Sequence, residues 1–187
     1  MARALILVDV QKDFCPGGSL ATDRGDEVAG LIGAYQLSHA LDYEAVIATQ
    51  DWHIDPGSHF SDTPDFIDSW PVHCVAESAG AALHDKVRTD LINEYFRKGQ
   101  HTAAYSGFEG HAASDGETSM ASWLRSRDIT AVDIAGIATD HCVRATALDA
   151  IKAGFQVRVL TGMCSAVGIE SGDAALEEMH AQGAELL

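Results

Sequence analysis

Three histidines and an aspartate lie in one proline-rich part of this chain, and their residue types suit a metal ion. Asp51 and His53 are two positions apart, which puts both side chains on one face of an extended backbone. His59 and His73 follow in the same part of the chain. Three imidazoles and one carboxylate suit Zn²⁺ or Fe²⁺, and they suit Mn²⁺ less well because nitrogen ligands dominate. The sequence therefore predicts a divalent metal site, although a single surface histidine is more often inert.

Cys142 is the strongest candidate for a nucleophile. It ends the stretch of residues 136–142, where an apolar run gives way to a helical pattern. Unpaired backbone N–H groups at such a junction stabilise a thiolate, lower its pKa and can hold an oxyanion. The alternative is a small buried core residue, which is the usual role of a free cysteine. The local sequence leaves both readings open.

Asp9 and Lys98 are the charged side chains best placed to assist this thiol. Asp9 follows an apolar run and could act as a general base that takes the thiol proton and returns it to a leaving group. It could equally accept hydrogen bonds from the following loop. Lys98 stands before Gly99, and a cation there would keep Asp9 ionised and favour the thiolate. Most lysines are instead solvated surface groups.

Three aromatic residues lie in loops near these candidates. A flat ring could stack among Phe14, Trp70 and Tyr105, or the three could simply pack the loops. Other residues give weaker signals: His101 could line the same pocket, and His141 could do no more than shape the turn before Cys142.

Short apolar runs alternate with helical patterns along the whole chain. Buried strands are predicted at residues 4–8, 45–49, 93–97, 131–136, 156–160 and 184–187. Four sets of apolar residues have helical spacing: Val28, Leu31, Ile32 and Tyr35; Met120, Trp123 and Leu124; Val143, Ala147 and Ile151; and Ala175, Leu176 and Met179. This alternation predicts an α/β fold: a central, mostly parallel sheet of about six strands with helices on both faces. The long irregular stretch at residues 50–80 is typical of a functional loop.

The predicted sheet brings the candidate residues together. In parallel α/β sheets, ligands bind beyond the carboxyl ends of the strands. Asp9, Asp51, Lys98 and Cys142 each follow a predicted strand. We therefore expect their side chains to meet at one edge of one sheet.

Composition limits the classes of function. The 187 residues fit one domain spanning 1–187, and a formal charge of −16 argues against a nucleic-acid or anionic-membrane surface. The first apolar run is too short for a signal peptide, and no run approaches the ~20 apolar residues of a membrane span. The four scattered cysteines are expected to be free thiols, and the protein to be cytoplasmic. Composition leaves monomer and homo-oligomer open.

Taken together, the motifs resemble the nicotinamidase/pyrazinamidase branch of the isochorismatase-like cysteine hydrolases over nearly the whole chain. The segments that carry the resemblance are Val8-Asp9-Val10-Gln11 with Asp13-Phe14, Gly17-Gly18-Ser19-Leu20, Asp51-Trp52-His53 through His59, Ser69-Trp70-Pro71-Val72-His73-Cys74, Lys98-Gly99, residues 102–110 and Gly136-Ile137-Ala138-Thr139-Asp140-His141-Cys142-Val143. The match is loosest at residues 111–119 and 161–171.

The resemblance implies a three-layer αβα fold and the hydrolysis of nicotinamide to nicotinate and ammonia, or of pyrazinamide to pyrazinoate, through a cysteine thioester. It implies a catalytic triad of Asp9, Lys98 and Cys142. It implies metal ligation by Asp51, His53, His59 and His73, an oxyanion hole at the N–H groups of Ala138 and Cys142 beside a cis peptide bond, and a ring pocket of Phe14, Trp70, Tyr105 and Ile137.

Three other functions stay open on the sequence. A related cysteine hydrolase could act on another small amide or on a ureido compound. A zinc hydrolase that uses metal-bound hydroxide would make Cys142 dispensable. A catalytically silent metal-binding or interaction module would need none of the three reactive side chains, and the sequence retains all of them.

Overall fold

A central sheet of seven strands organises the computed structural model, which describes residues 2–187. The strands are β1 (Ala2–Val8), β2 (Ala45–Asp51), β3 (Glu94–Lys98), β4 (His111–Ala112), β5 (Ile129–Ile137), β6 (Gln156–Ser165) and β7 (Glu185–Leu186). Their order across the sheet is β4-β3-β2-β1-β5-β6-β7, and every neighbouring pair is parallel except β3 and β4. The expected count of about six strands was one too low, because β4 is too short to show an apolar pattern.

Helices cover both faces of this sheet. They are α1 (Gly25–His39), α2 (Met120–Arg125), α3 (Arg144–Lys152) and α4 (Ile169–Ala181). Because side chains alternate along a strand, Ile6 of β1 packs with α2, α3 and α4 on one face, while Leu5 and Leu7 pack with α1 on the other. The predicted α/β architecture of three layers is confirmed.

The chain reverses its direction of travel across the sheet beside β1. From β1 it runs outward through β2, β3 and β4, and it then returns to place β5 on the other side of β1. Such a switch point opens a crevice at the carboxyl ends of the strands. Asp9 directly follows β1 at this crevice, and Cys142 lies five residues after β5 ends at Ile137.

Strands β2 and β3 run slightly further than the sequence predicted. Asp51 and Lys98 are their last residues, and the two are direct partners in the β2–β3 register. Both charged side chains are therefore fixed by the sheet itself and do not depend on a loop. None of the described helices is long and apolar enough to cross a membrane.

Candidate active site

Cys142 lies in a tight turn between β5 and α3. The turn is a short π-helical segment, Thr139–Val143, with an i→i+5 hydrogen bond in which Ala138 O accepts from Val143 N at 3.0 Å. Cys142 is only 6% exposed, yet it lines a cavity at the carboxyl edge of the sheet. The peptide bond between Ile137 and Ala138 is cis, as the resemblance implied. The thiol is therefore buried from bulk solvent and still faces a space that a small molecule can enter.

A glycine allows this turn to approach β1. Gly136 pairs with Val8 and has a φ of 133°, a conformation that side chains rarely adopt. A Cβ atom at this position would lie 2.1 Å from the Val8 carbonyl oxygen. Glycine is thus required at position 136, where the end of β5 lies against the end of β1.

Lys98 joins the predicted thiol and carboxylate. Its Nζ atom lies 2.9 Å from Asp9 Oδ2 and donates to Cys142 Sγ at 3.7 Å. The same ammonium donates to Asp51 Oδ1. The side chains of Lys98 and Asp9 are fully buried, so the contacts form away from solvent screening. The structure brings the three predicted reactive groups together.

Thr49 orients the Asp9 carboxylate. Its hydroxyl donates to Asp9 Oδ1 at 2.6 Å and accepts from the Asp9 backbone N–H at 3.1 Å. With Oδ1 engaged by Thr49, Oδ2 is the atom that faces Lys98. Thr49 was not predicted from the sequence, because its contact with a residue 40 positions away depends on the register of β1 and β2.

Two of the charged groups keep fixed charges. Burial by itself raises the pKa of Asp51, but the charge of Lys98, with His53 and His73 close by, outweighs it and holds that pKa well below its ordinary value. Burial lowers the pKa of Lys98, and Asp51 and Asp9 together raise it well above its ordinary value. The Asp51–Lys98 pair is therefore ionised throughout the physiological range.

The other two groups hold protons more readily. Burial raises the pKa of Asp9 despite the opposing charge of Lys98. Burial likewise raises the pKa of the Cys142 thiol well above its ordinary value. The turn was expected to lower the pKa of Cys142, and that expectation was wrong because the loss of solvent outweighs the neighbouring ammonium. The Cys142 sulfur and a carboxyl oxygen of Asp9 lie within 4.8 Å of each other, and two groups of raised pKa at that separation are suited to passing a proton between them.

The predicted metal ligands form a second cluster next to Lys98. Nitrogen atoms of His53, His59 and His73 all lie within 4.8 Å of one another, and all three residues are buried. Asp51 Oδ2 lies 3.5 Å from His53 Nε2 and 3.7 Å from His73 Nε2. Burial, together with the neighbouring His53 and His73, lowers the pKa of His59 to about 4, which leaves the neutral ring that metal binding needs.

The hydrogen bonds of these rings fit a metal ion. The Nδ1 atom of His53 is 2.6 Å from the Gly99 carbonyl, and that of His73 is 2.7 Å from the Pro71 carbonyl. Because a carbonyl can only accept, each Nδ1 carries the proton and each Nε2 offers a lone pair to the cluster, as in known metal sites. His53 Nε2 is fully buried without a hydrogen-bond partner. This chain therefore has a site suited to a divalent metal ion.

Gly99 brings the end of β3 against this cluster. Its φ is 75°, and a Cβ atom there would lie 2.6 Å from the His53 ring.

Cys74, which was left out of the predicted ligand set, lies outside the cluster: its N–H donates to Asp13 Oδ2 at 2.8 Å.

A cavity of about 430 Å³, including its open mouth, lies between the thiol and the histidines. It is lined by Phe14, Leu20, Thr22, Asp51, His59, Trp70, His73, Tyr105, Ala138, His141, Cys142 and Val167. Trp70 Nε1 donates to the Tyr105 hydroxyl at 3.1 Å. The ring of His141 packs edge-on against Trp70, with centroids 5.1 Å apart. The wall of the cavity is thus largely aromatic.

The predicted pocket residues and the observed lining differ in part. Phe14, Trp70 and Tyr105 line the cavity as expected. Ile137 is fully buried in the core, and its neighbour Ala138 takes the place on the wall. His101 is exposed and outside the lining.

Four further lining residues were not predicted: Leu20, Thr22, His141 and Val167. Leu20 and His141 stand within segments that carry the resemblance, which is the signal that was available for them. Val167 lies in the part of the chain where the resemblance is loosest.

Comparison with known proteins agrees with this geometry. A family model described as the isochorismatase domain matches residues 3–187. The chain is 51% identical to the nicotinamidase/pyrazinamidase of Mycobacterium tuberculosis over 99% of this chain and 98% of that protein. Its structure is similar to a Pyrococcus horikoshii pyrazinamidase in complex with zinc, with a TM-score of 0.84, 35% identity, and coverage of 100% and 99% of the two chains. It is also similar to PnC1 from L. infantum in complex with nicotinate, with a TM-score of 0.85, 36% identity, and coverage of 100% and 92%.

Proposed function

The chain belongs to the isochorismatase family, and from this membership we propose that it is an amidohydrolase that converts nicotinamide to nicotinate and ammonia. The observation that carries the proposal is the convergence of Cys142, Asp9 and Lys98 beside a histidine cluster that opens into the same cavity. The similarity to proteins named as nicotinamidases and pyrazinamidases supports this choice of substrate. Pyrazinamide is proposed as a second substrate, hydrolysed to pyrazinoate.

In the first half of the reaction, Asp9 accepts the proton of the Cys142 thiol, and the sulfur attacks the amide carbon. The raised pKa of Asp9 suits a group that must hold this proton and then release it. Asp9 next protonates the amide nitrogen, the C–N bond breaks and ammonia leaves. The product of this half is a nicotinoyl thioester on Cys142.

In the second half, a water molecule attacks the thioester while Asp9 takes one of its protons. The C–S bond breaks, the proton on Asp9 returns to the sulfur, and the second water proton leaves the product carboxyl for solvent as nicotinate is released. Lys98 keeps its charge throughout and stabilises the anionic sulfur at each stage. We assign the oxyanion that forms in each half to the N–H groups of Ala138 and Cys142, which lie in the turn at the cavity wall.

One divalent ion is proposed to be held by Asp51, His53, His59 and His73. Zn²⁺ or Fe²⁺ is favoured over Mn²⁺ because three of the four ligands are nitrogens. When bound, the ion supplies a Lewis acid for the ring nitrogen of the substrate and so orients the carboxamide. Phe14, Trp70 and Tyr105 would enclose the flat ring. Ile137 is buried in the same apolar cluster as Phe14 and Ala138 and does not line the cavity.

We also propose a cytoplasmic enzyme whose partner is a small carboxamide and neither a nucleic acid nor a membrane. All four cysteines are free and buried in the described structure, which suits a reducing compartment. A related hydrolase of other small amides or ureido compounds is the alternative. Many such relatives lack a metal loop of this kind, whereas this chain retains all four ligand candidates.

The proposal is tested by incubating the purified protein with nicotinamide and measuring ammonia and nicotinate, with the metal content determined on the same sample. Pyrazinamide, benzamide and a ureido acid serve as comparison substrates. We expect hydrolysis of the two heteroaromatic amides in a metal-loaded sample and little of benzamide, which lacks the ring nitrogen. Hydrolysis of the ureido acid alone would favour the alternative.

A further inference from the structure

Gln11 is fully buried where β1 stops pairing with β2. The last partners in that register are Leu7 and Ala48, whereas β2 continues for three more residues to Asp51. The backbone N–H and C=O of one strand residue point to the same side. Those of Asp51 point toward β1, where no strand remains to receive them. Buried backbone groups of this kind need another partner.

The side-chain amide of Gln11 supplies that partner. Its Oε1 atom accepts from the Asp51 N–H at 2.9 Å, and its Nε2 atom donates to the Asp51 carbonyl at 2.9 Å. The second proton of Nε2 goes to the Ala81 carbonyl at 2.8 Å. One amide group thus continues the sheet by a single residue.

Gln11 is itself fixed to the end of β1. Its N–H donates to the Asp9 carbonyl at 2.7 Å. A short covalent and hydrogen-bonded path therefore runs from Asp9 through Gln11 to Asp51. These are the two carboxylates between which Lys98 places its ammonium.

We propose that Gln11 is a positioning residue for the Asp51 carboxylate. By holding both backbone groups of Asp51, it directs Oδ1 to Lys98 and Oδ2 to the histidine cluster. The inference rests on the proposed function for its catalytic consequences, but its effect on metal affinity is independent of the substrate.

The chain offers a matched control in Gln50. This residue is also buried, at 5% exposure, and its Nε2 atom donates to the same Ala81 carbonyl at 3.0 Å. Among the described contacts its side-chain amide makes no hydrogen bond to Asp51. Replacing either glutamine by methionine removes a bond to Ala81 and keeps the length of the side chain. The Gln11 variant also loses the two hydrogen bonds to the Asp51 backbone, whereas the Gln50 variant keeps them.

The experiment measures the Kd of Zn²⁺ for the wild type, Gln11→Met and Gln50→Met by competition with a chromogenic chelator. Removing an outer partner of a metal ligand typically costs about 10- to 100-fold in affinity, and we expect a rise of this size for Gln11→Met. The Kd of Gln50→Met should stay close to that of the wild type. Urea unfolding of the metal-free proteins shows how much each substitution weakens the fold itself.

An unchanged Kd in Gln11→Met, or equal rises in the two variants, would overturn the positioning role. If Gln11→Met does not fold, Gln11→Glu against Gln50→Glu is judged by the same criterion, because glutamate keeps an acceptor for the Asp51 N–H and lacks the paired amide donors. A raised Kd in a protein whose wild type releases no ammonia from nicotinamide would remove the proposed function and leave this inference standing. Normal amidase activity in the wild type, together with an unchanged Kd in Gln11→Met, would remove this inference and leave the proposed function standing.

Discussion

Asp51 accepts a hydrogen bond from the Lys98 ammonium through Oδ1 and faces the histidine cluster through Oδ2. One carboxylate therefore belongs both to the reacting groups and to the metal site. The pairing is built into the sheet, since Asp51 and Lys98 are partners in the β2–β3 register. We therefore expect substitutions among the reacting groups to alter the metal site, and substitutions among the metal ligands to alter the reacting groups.

Replacing Cys142 by alanine should abolish ammonia release from nicotinamide, by a factor on the order of 10⁶, while the metal stays bound. The sulfur is the proposed attacking atom, and Cys142 lies outside the group of three histidines proposed to hold the ion. The measurement is steady-state ammonia release together with metal content by elemental analysis. Cys164→Ala removes another buried free thiol and serves as the control. Substantial turnover in Cys142→Ala would point instead to a metal-bound hydroxide as the nucleophile.

Replacing His53 by alanine should strip the metal and weaken substrate binding. Its Nε2 atom is buried, has no hydrogen-bond partner and points into the cluster, so its loss removes a ligand. Metal content after dialysis and the KM for nicotinamide report the two effects. His111→Ala is the control, because that residue is exposed on β4 and lies outside the cluster. Undiminished metal in His53→Ala would exclude His53 from the ligand set.

The layers of the fold were predictable because apolar runs and helical spacing alternate along the chain. All six predicted strands are present, and the helical patterns fall on α1 to α4. The strand β4 was missed because two residues pairing at the sheet edge carry no periodic signal. The second half of β6 was missed because Thr161, Gly162 and Met163 interrupt the apolar pattern: Thr161 and Met163 are half-buried and Gly162 is exposed.

The site was predictable where strand ends determine it and not where side-chain packing does. Asp9, Asp51 and Lys98 were placed correctly because the carboxyl ends of parallel strands meet at one edge. The bond from Thr49 to Asp9 depends on strand register, and the burial that raises the pKa of Cys142 depends on the whole surrounding fold. Neither can be read from local sequence.

Replacing Lys98 by methionine should inactivate the protein and destabilise it. The variant leaves Asp9 and Asp51 buried without their cation, and an uncompensated buried charge typically costs about 3–5 kcal/mol. Urea unfolding of the metal-free variant measures this loss, since a bound cation would mask it. Lys12→Met is the control: Lys12 pairs with exposed Asp85, and solvent screens that contact, so its loss should change the unfolding free energy little. Equal stability of Lys98→Met and wild type would show that the carboxylates do not need the ammonium.

Asp140 ties the nucleophile turn to the start of α4, and this contact predicts a pH-dependent stability. Its carboxylate accepts from Val167 N at 2.9 Å, Gly168 N at 3.1 Å and Ser171 Oγ at 2.6 Å. Burial raises the pKa of Asp140, but these hydrogen bonds outweigh it and bring the pKa below its ordinary value of 3.8. A carboxyl whose pKa is lower in the folded state stabilises the fold above its unfolded pKa. That stabilisation is lost as the pH falls through the folded pKa.

Asp140→Asn should therefore lower the unfolding free energy at pH 7 by about 1–2 kcal/mol, a range that allows for solvent screening of a half-buried group. The difference in unfolding free energy between variant and wild type should narrow as the pH falls from 3.8 through the lower folded-state pKa, because the wild-type carboxyl takes up its proton over that range. Urea unfolding across this pH range measures the gap. Asp173→Asn removes the same charge from an exposed position on α4 and should leave the difference small at every pH. A gap for Asp140→Asn that does not change with pH would show that the contact acts through shape and not through the charge of the carboxylate.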